Sequence, residues 1–168
     1  MKKDKAINAI PAPSISPTPL RIIKIATCPT CSGKAILTYH FGCSEDMQYY
    51  IRIVANSGGG FFSEEWIKLT DIQAALDGAP FPVTSFPLIK LFNGKSVNTP
   101  GFLLAVLKHE GLVKLLEGKI RGYEKLDTAQ LMIELEKLVA SDLNLKPELA
   151  PTIKKVSPIL PPKKIKQT

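Results

Sequence analysis

The sequence predicts an α+β fold: an N-terminal antiparallel β-hairpin or three-stranded sheet followed by a helical portion, with flexible tails. Segments rich in β-branched and aromatic residues lie in the first half of the chain and are typical of strands. Segments with apolar residues at helical spacing lie in the second half. Prolines crowd both ends, where they disfavour helix and sheet. One compact unit between two tails is therefore expected.

Length and composition set the expected organisation. A chain of 168 residues can bury one ordinary core. Residues 1–20 are predicted to be a disordered, proline-rich basic arm, and residues 144–168 a disordered tail rich in proline and lysine. Between them we expect a β-rich subdomain over residues 21–83 and a helical, winged-helix-like subdomain over residues 84–143.

Three segments of the β-rich part have strand character, namely residues 21–26, 35–41 and 48–55. The polar residues 43–46 suit a hairpin loop between the second and third of them. Alternation in the third segment predicts two faces. One face is expected to hold Tyr49, Ile51 and Ile53, and the other Tyr50, Arg52 and Val54.

A glycine-rich run, residues 56–60, favours a tight turn, because it lacks the lysine and Ser/Thr of a phosphate-binding P-loop. Residues 61–69 are then predicted to form a further strand or a strand-like segment. Thr70 or Asp71 is expected to cap a short helix through Leu76, which Gly78 ends.

Two helices are predicted in the next part of the chain. Residues 85–92 place apolar side chains at near-helical spacing before a turn at Asn93. The second helix spans residues 100–110: Thr99 can cap it, Pro100 suits its first position and Gly111 ends it. The side chains expected to pack inward are Phe86, Leu88, Ile89 and Phe92 in the first helix, and Phe102, Leu103, Val106 and Leu107 in the second.

A hairpin and a last helix complete the predicted core. Residues 112–116 and 120–126 flank a turn at residues 117–119. Asp127 and Gln130 make a capping-box-like start to the last helix, and Glu134 can pair with Lys137. An apolar stripe on this helix either closes the core or meets a second copy of the chain. The stripe consists of Leu131, Leu135, Leu138 and Val139.

Positive charge is concentrated in one part of the expected core. The formal net charge is +7, and residues 84–125 carry seven Lys or Arg against three Asp or Glu, an excess of +4. Residues 28–83 and 126–143 have an excess of acidic residues and sum to −3 each. A local basic surface favours phosphate contact. A solvated lysine face is the alternative.

The order helix, turn, helix and hairpin, with the residues Leu107-Lys108-His109-Glu110-Gly111 and Arg121-Gly122-Tyr123, resembles the winged helix-turn-helix superfamily. The resemblance implies that the helix over residues 100–110 occupies a DNA groove and that Lys119 and Arg121, on the wing, contact phosphate or the minor groove. That helix offers mainly Lys108 and His109 as outward polar groups, which favours backbone contacts over base reading. The candidate nucleic-acid-binding residues are Lys90, Lys95, Lys108, His109, Lys114, Lys119, Arg121 and Lys125.

His109 has a second interpretation, because cations are favoured near helix C-termini. We therefore expect it to complement the helix dipole more than to bind phosphate.

The cysteines and one histidine follow a zinc-like pattern. Cys28 and Cys31 have knuckle spacing, and His40 with Cys43 repeats it, giving C-x2-C-x8-H-x2-C. These four residues predict a structural zinc site. The alternative is that His40 is an ordinary strand residue and Cys43 lies in the loop after it.

The leading functional hypothesis is a small, non-enzymatic nucleic-acid-binding accessory or regulatory protein that contacts the DNA backbone. The alternative is a protein-interaction module (an adaptor, an inhibitor, or a subunit of a complex or homodimer) that uses its apolar helices and tails. Neither a secretory signal nor a membrane span is evident, and three cysteines favour a reducing compartment. We expect a cytoplasmic protein, and no nucleophile motif suggests catalysis.

Overall fold

The computed structural model describes residues 20–93, 96–142 and 144–146. The predicted arm and most of the predicted tail, residues 1–19 and 147–168, lie outside the described residues. The described part is α+β, with an antiparallel sheet at its N-terminal end followed by helices and a small hairpin. This confirms the predicted class, although the sheet has four strands instead of two or three.

The sheet is a meander of four strands in chain order. They are β1 (Arg21–Pro29), β2 (Ile36–Cys43), β3 (Tyr49–Asn56) and β4 (Ile67–Lys68). The hairpin predicted between the second and third strand segments is confirmed as β2 and β3, which pair from Leu37↔Asn56 to Cys43↔Tyr49. Strands rich in β-branched and aromatic residues form this pair, as their packing on a pleated surface favours.

The two faces of β3 are as predicted. Tyr49, Ile51 and Ile53 are buried in the core, whereas Tyr50, Arg52 and Val54 are half-buried. The core-facing side chains of β2 are Leu37, Tyr39 and Phe41, all fully buried. Alternation along both strands therefore builds one apolar face on which the helices pack.

A β-bulge in β1 changes which side chains face that core. Ile22 pairs with Gly42 and Lys24 pairs with Phe41, so Ile23 is an extra residue in the ladder. Because directly paired residues share a face, Lys24 lies on the core side with Phe41, and its ammonium is 5.7 Å from the centroid of the Phe41 ring. A lysine is thereby placed at the edge of the core.

Trp66 covers part of the opposite face of the sheet. Its ring lies 4.6 Å from the Arg52 guanidinium carbon and 6.4 Å from the centroid of His40. A Cβ on Gly42 would be only 2.9 Å from Trp66 Cζ3, so the indole requires a glycine there. His40 is consequently buried although it points away from the main core.

The strand predicted over residues 61–69 is wrong for most of its length. Only Ile67 and Lys68 pair with β3, and the helix α1 (Leu69–Asp77) begins immediately afterwards. The backbone N–H of Ser63 donates to Thr99 Oγ1 at 2.8 Å. This stretch is therefore held against the start of the second predicted helix instead of pairing with β3. Thr70 and Asp71 lie inside α1 instead of capping it, whereas Gly78 ends it as predicted.

The α-helix predicted over residues 85–92 is a 3₁₀ helix spanning Phe86–Leu91. Of the side chains expected to pack inward, Leu88 is buried and Phe92 is half-buried, but Phe86 and Ile89 are exposed. A 3₁₀ helix has three residues per turn, so side chains three apart project together. Phe86 and Ile89 therefore share one exposed side.

The second predicted helix is α2 (Thr99–His109). Pro100 lies in its first turn and Gly111, with a φ of 82°, follows its end, as predicted. Thr99 is not the cap: it is the first helical residue, and its hydroxyl accepts the Ser63 bond. Leu103, Val106 and Leu107 are buried and Phe102 is half-buried.

The predicted hairpin is confirmed. It consists of β5 (Val113–Leu115) and β6 (Tyr123–Lys125), paired in antiparallel register. Its turn is longer than predicted and spans residues 116–122. Val83 adds a bridge on the other side of Tyr123, with N···O distances of 2.8 and 2.9 Å. We call residues 113–125 the wing hairpin and residues 116–122 the wing turn.

The last helix is α3 (Ala129–Ala140), and its N-cap residue is Thr128, so the capping box predicted from Asp127 and Gln130 is not formed. Asp127, one residue earlier, still accepts the Ala129 N–H with its Oδ1 at 3.0 Å. In its apolar stripe Leu131 and Leu135 are buried, and Leu138 and Val139 pack partly buried against the same core. Glu134 is bonded to Lys24 of β1, at 2.7 Å, instead of to Lys137. The stripe thus closes the core of this chain.

Candidate nucleic-acid interface

The predicted basic residues occur in several elements. Lys90 lies in the 3₁₀ helix, and Lys108 and His109 end α2. Lys114 and Lys125 are in the wing hairpin, with Lys119 and Arg121 in its turn. All seven are exposed, whereas Lys95 lies outside the described residues.

Acidic groups offset two of these charges. The ammonium of Lys125 forms an ion pair with Asp77 of α1. Lys114 stands opposite Glu124 in the β5–β6 ladder, where paired residues share a face. These two lysines therefore contribute less to an anion-binding surface than their exposure suggests.

Lys108 and His109 lie away from the wing turn. The base of the wing hairpin, its end farthest from the turn, is the pair Val113 and Lys125. Lys108 and His109 come just before this base in the chain. With a rise of about 3.4 Å per residue, the three-residue strands separate base and turn by roughly 10 Å. The His109 ring also packs edge-on against Tyr39, with centroids 6.4 Å apart. Of the predicted residues that the structure describes, Lys119 and Arg121 are thus the pair that lies together in the wing turn.

The body of α2 is enclosed by the rest of the protein. Five consecutive residues, 103–107, are buried, and Thr99 and Pro100 are buried as well. Only Lys108 and His109, at the C-terminal end, are exposed. Insertion of this helix along its length into a DNA groove would expose core leucines to water, each at a cost of about 2 kcal/mol.

The wing turn presents two cations at its exposed tip. The backbone N–H of Lys119 donates to Leu116 O at 3.1 Å, and the N–H of Leu116 donates to Gly122 O at 2.9 Å. Within the described residues, neither Lys119 nor Arg121 forms an ion pair. Glu117 is the acidic residue of this turn and is also exposed. The turn is therefore a surface that can accept phosphate.

Exposed apolar side chains accompany these cations, and the sequence prediction missed them. Ile120 is 91% exposed, Phe81 73% and Phe86 76%. Helical spacing indicated that Phe86 faces inward, and the linker containing Phe81 carried no functional signal.

A buried ionic cluster, also missed, joins the sheet to the helices. The Tyr39 hydroxyl donates to Glu110 Oε1, and the Lys24 ammonium donates to Glu110 Oε2 at 2.9 Å and to Glu134 Oε1 at 2.7 Å. Burial alone would lower the pKa of Lys24, but its bonds to Glu134 and Glu110 raise it above the ordinary value. Burial and the bond to Glu110 raise the pKa of Tyr39. This cluster is structural, because it fixes α2 and α3 to β1 and β2.

The four predicted zinc ligands do not converge. Cys28 pairs with Leu37 at one end of the β1–β2 ladder, and Cys43 pairs with Arg21 at the other. Seven residues separate Arg21 from Cys28, or roughly 23 Å of strand. In the described part of the chain, no group of three His, Cys, Asp or Glu side chains is placed to hold a metal ion.

Cys28 and Cys31 remain close in sequence, but burial raises the pKa of the Cys28 thiol to about 11, with further contributions from Glu110 and Cys31. The thiol of Cys31 lies 3.8 Å from Gly101 O of α2. A four-ligand zinc site remains a prediction without geometric support. Metal analysis of protein purified without added zinc tests it, and we expect no stoichiometric metal.

Comparison of the chain with protein-family models, with curated proteins and with solved structures gave no match. No family is therefore assigned, and the site rests on its own geometry. Among the described residues, no helix combines the length and apolar character that crossing a membrane requires.

Proposed function

We propose that this protein is a small, non-enzymatic accessory or regulatory protein that binds nucleic acid through phosphate contacts made by the wing turn. The observation that carries the proposal is the exposed pair Lys119 and Arg121, neither of which forms an ion pair with a described residue. Cations that contact phosphate release condensed counterions, which favours binding regardless of sequence.

The arrangement of the elements supports phosphate contact more than base reading. A helix, a 3₁₀ turn, a second helix and a hairpin follow one another, as in the winged helix-turn-helix superfamily that the sequence resembles. The second helix is enclosed, so its side chains are not available to base edges. The wing turn remains accessible, and the lysines of the N-terminal arm and C-terminal tail add non-specific attraction.

Charge reversal of the wing turn is expected to weaken binding strongly. In the full chain, the double variant Lys119→Glu/Arg121→Glu should bind a 30-base oligonucleotide at least about tenfold less tightly at low salt. The slope of log K against log salt should become shallower by about one for each cation that no longer reaches a phosphate. The matched control is Lys34→Glu/Lys137→Glu, which changes the net charge by the same amount at exposed positions outside the wing turn and the tails. Fluorescence anisotropy over several salt concentrations measures both.

Glu117→Gln provides the opposite test, since removal of this negative charge should tighten binding. No binding of the wild-type protein at low salt would refute the proposal, as would equal losses of affinity in the wing-turn variant and its control.

A protein partner is the second candidate function, and the exposed Phe81, Phe86 and Ile120 favour it, because neighbouring exposed apolar side chains often mark contact sites. The apolar faces of α2 and α3, by contrast, are used in the core. Recovery of a partner from native extract with and without nuclease separates the two functions. A protein retained after nuclease, with no oligonucleotide binding, would favour this candidate.

A further inference from the structure

Exposed aromatic and cationic side chains lie on chain segments that the Val83–Tyr123 bridge joins. Two of the three segments that supply them are the linker before the bridge and the 3₁₀ helix after it, and the third is the wing turn. We define the aromatic–cationic surface as Phe81, Phe86, Lys119, Ile120 and Arg121, all of which are exposed.

Contacts between the segments keep them near one another. Pro82 Cβ lies 3.2 Å from the position that a Cβ on Gly122 would occupy. Phe81 and Arg121 are the neighbours of these two residues, and since consecutive Cα atoms are about 3.8 Å apart, their Cα atoms lie within roughly 14 Å. Phe86 follows the bridge residue Val83 by three positions. Rings and cations are therefore within reach of the same short ligand segment.

Exposed phenylalanine rings and cations without ion-pair partners suit single-stranded nucleic acid better than a duplex. In a duplex the bases are stacked on one another, and their faces are not available to protein side chains. In a single strand the faces are open, and aromatic rings stack on them while cations track the phosphates. Ile120, which is 91% exposed between the two cations, adds apolar surface to the wing turn.

We propose that the aromatic–cationic surface binds unpaired nucleotides, with Phe81 and Phe86 stacking on bases and with Lys119 and Arg121 contacting phosphates. This inference rests on the proposed nucleic-acid binding and specifies its substrate as single-stranded DNA or RNA. The burial of α2 agrees with a single-stranded substrate. A helix that cannot enter a groove makes none of the contacts by which such helices bind a duplex.

The test compares a 20-base oligothymidylate with a hairpin duplex of equal phosphate number, bound to the full chain. Wild-type protein should bind the single strand more tightly. Phe81→Ala and Phe86→Ala should each weaken single-strand binding on the order of tenfold and leave duplex binding nearly unchanged. Phe86→Trp should retain affinity, and its new indole should be quenched by the oligonucleotide. Ile133→Ala, an exposed apolar truncation on α3, is the control and should change neither affinity.

The outcomes separate the inference from the proposed function. Equal affinity for both forms, or equal reductions for both in the phenylalanine variants, would overturn the inference. The phosphate-binding function would still stand if Lys119→Glu/Arg121→Glu bound both forms more weakly. Binding to vesicles of anionic phospholipid without binding to either oligonucleotide would overturn both and assign the surface to a membrane. The phenylalanines are exposed, and thermal unfolding of each variant verifies that it folds.

Discussion

Replacement of Glu110 by Gln should lower the free energy of unfolding by about 3 kcal/mol, the typical cost of breaking a buried ion pair by removing one partner. The Glu110 side chain is only 5% exposed and accepts bonds from Lys24 and Tyr39. A carboxylate at the C-terminal end of α2 is unfavourable to the helix dipole by about 0.3–1 kcal/mol. The loss of the buried bonds exceeds this gain, so the net effect is destabilising.

Glu134→Gln is the matched control, because Glu134 bonds the same lysine from a side chain that is 48% exposed. An exposed pair contributes up to about 1 kcal/mol, so we expect a much smaller effect. Urea unfolding at pH 7, followed by the fluorescence of Trp66, measures both variants. Similar losses of stability in the two would show that burial of Glu110 does not govern the cluster.

Acidification should destabilise the protein through His40. Burial, with a smaller contribution from Arg52, lowers the pKa of His40 from 6.5 to about 4. Its Nδ1 has no hydrogen-bond partner among the described residues, and the residue is 2% exposed. Burial and the positive charge of Arg52 both disfavour a positive imidazole, so the folded state holds the neutral form.

The direction follows from proton binding. Between pH 6.5 and about 4 the unfolded chain takes up a proton that the folded chain does not. The free energy of unfolding therefore decreases as the pH is lowered through this window. The full loss is about 3 kcal/mol, since each unit of pKa difference corresponds to about 1.4 kcal/mol.

His40→Phe, which keeps a ring against Trp66 but cannot titrate, should remove this part of the acid sensitivity. Urea unfolding at pH 7 and pH 4.5 for both proteins isolates the contribution from that of the carboxylates. An unchanged difference between the two pH values would contradict the assignment.

Local patterns were sufficient for several elements. Alternation in β3, the proline and glycine that bound α2, and the Asp127 start of α3 all lie within a few residues of what they determine. The prediction for residues 61–69 failed because a hydrogen bond to Thr99, 36 positions from Ser63, directs that stretch. The α-helix over residues 85–92 failed because apolar spacing does not distinguish it from a 3₁₀ helix.

The candidate interface was predicted in part. Lys119 and Arg121 were predicted from the local excess of positive charge, and both lie in the exposed wing turn. Charge counting also selected Lys125 and Lys114, whose acidic neighbours Asp77 and Glu124 become apparent only from strand pairing and packing. Phe81 and Phe86 were missed, since an apolar residue in sequence is ordinarily expected in the core.

The amino-acid sequence was enough to establish the α+β class, the β2–β3 hairpin, the boundaries of α2 and the basic character of residues 84–125, because each depends on neighbouring residues and their intrinsic preferences. The tertiary structure decided that α2 is enclosed, that Lys24 faces Glu110 and that two phenylalanines reach solvent beside the wing turn. These features depend on the β-bulge in β1, on the bridge between Val83 and Tyr123 and on other contacts between distant segments. Such contacts cannot be predicted from the preferences of neighbouring residues.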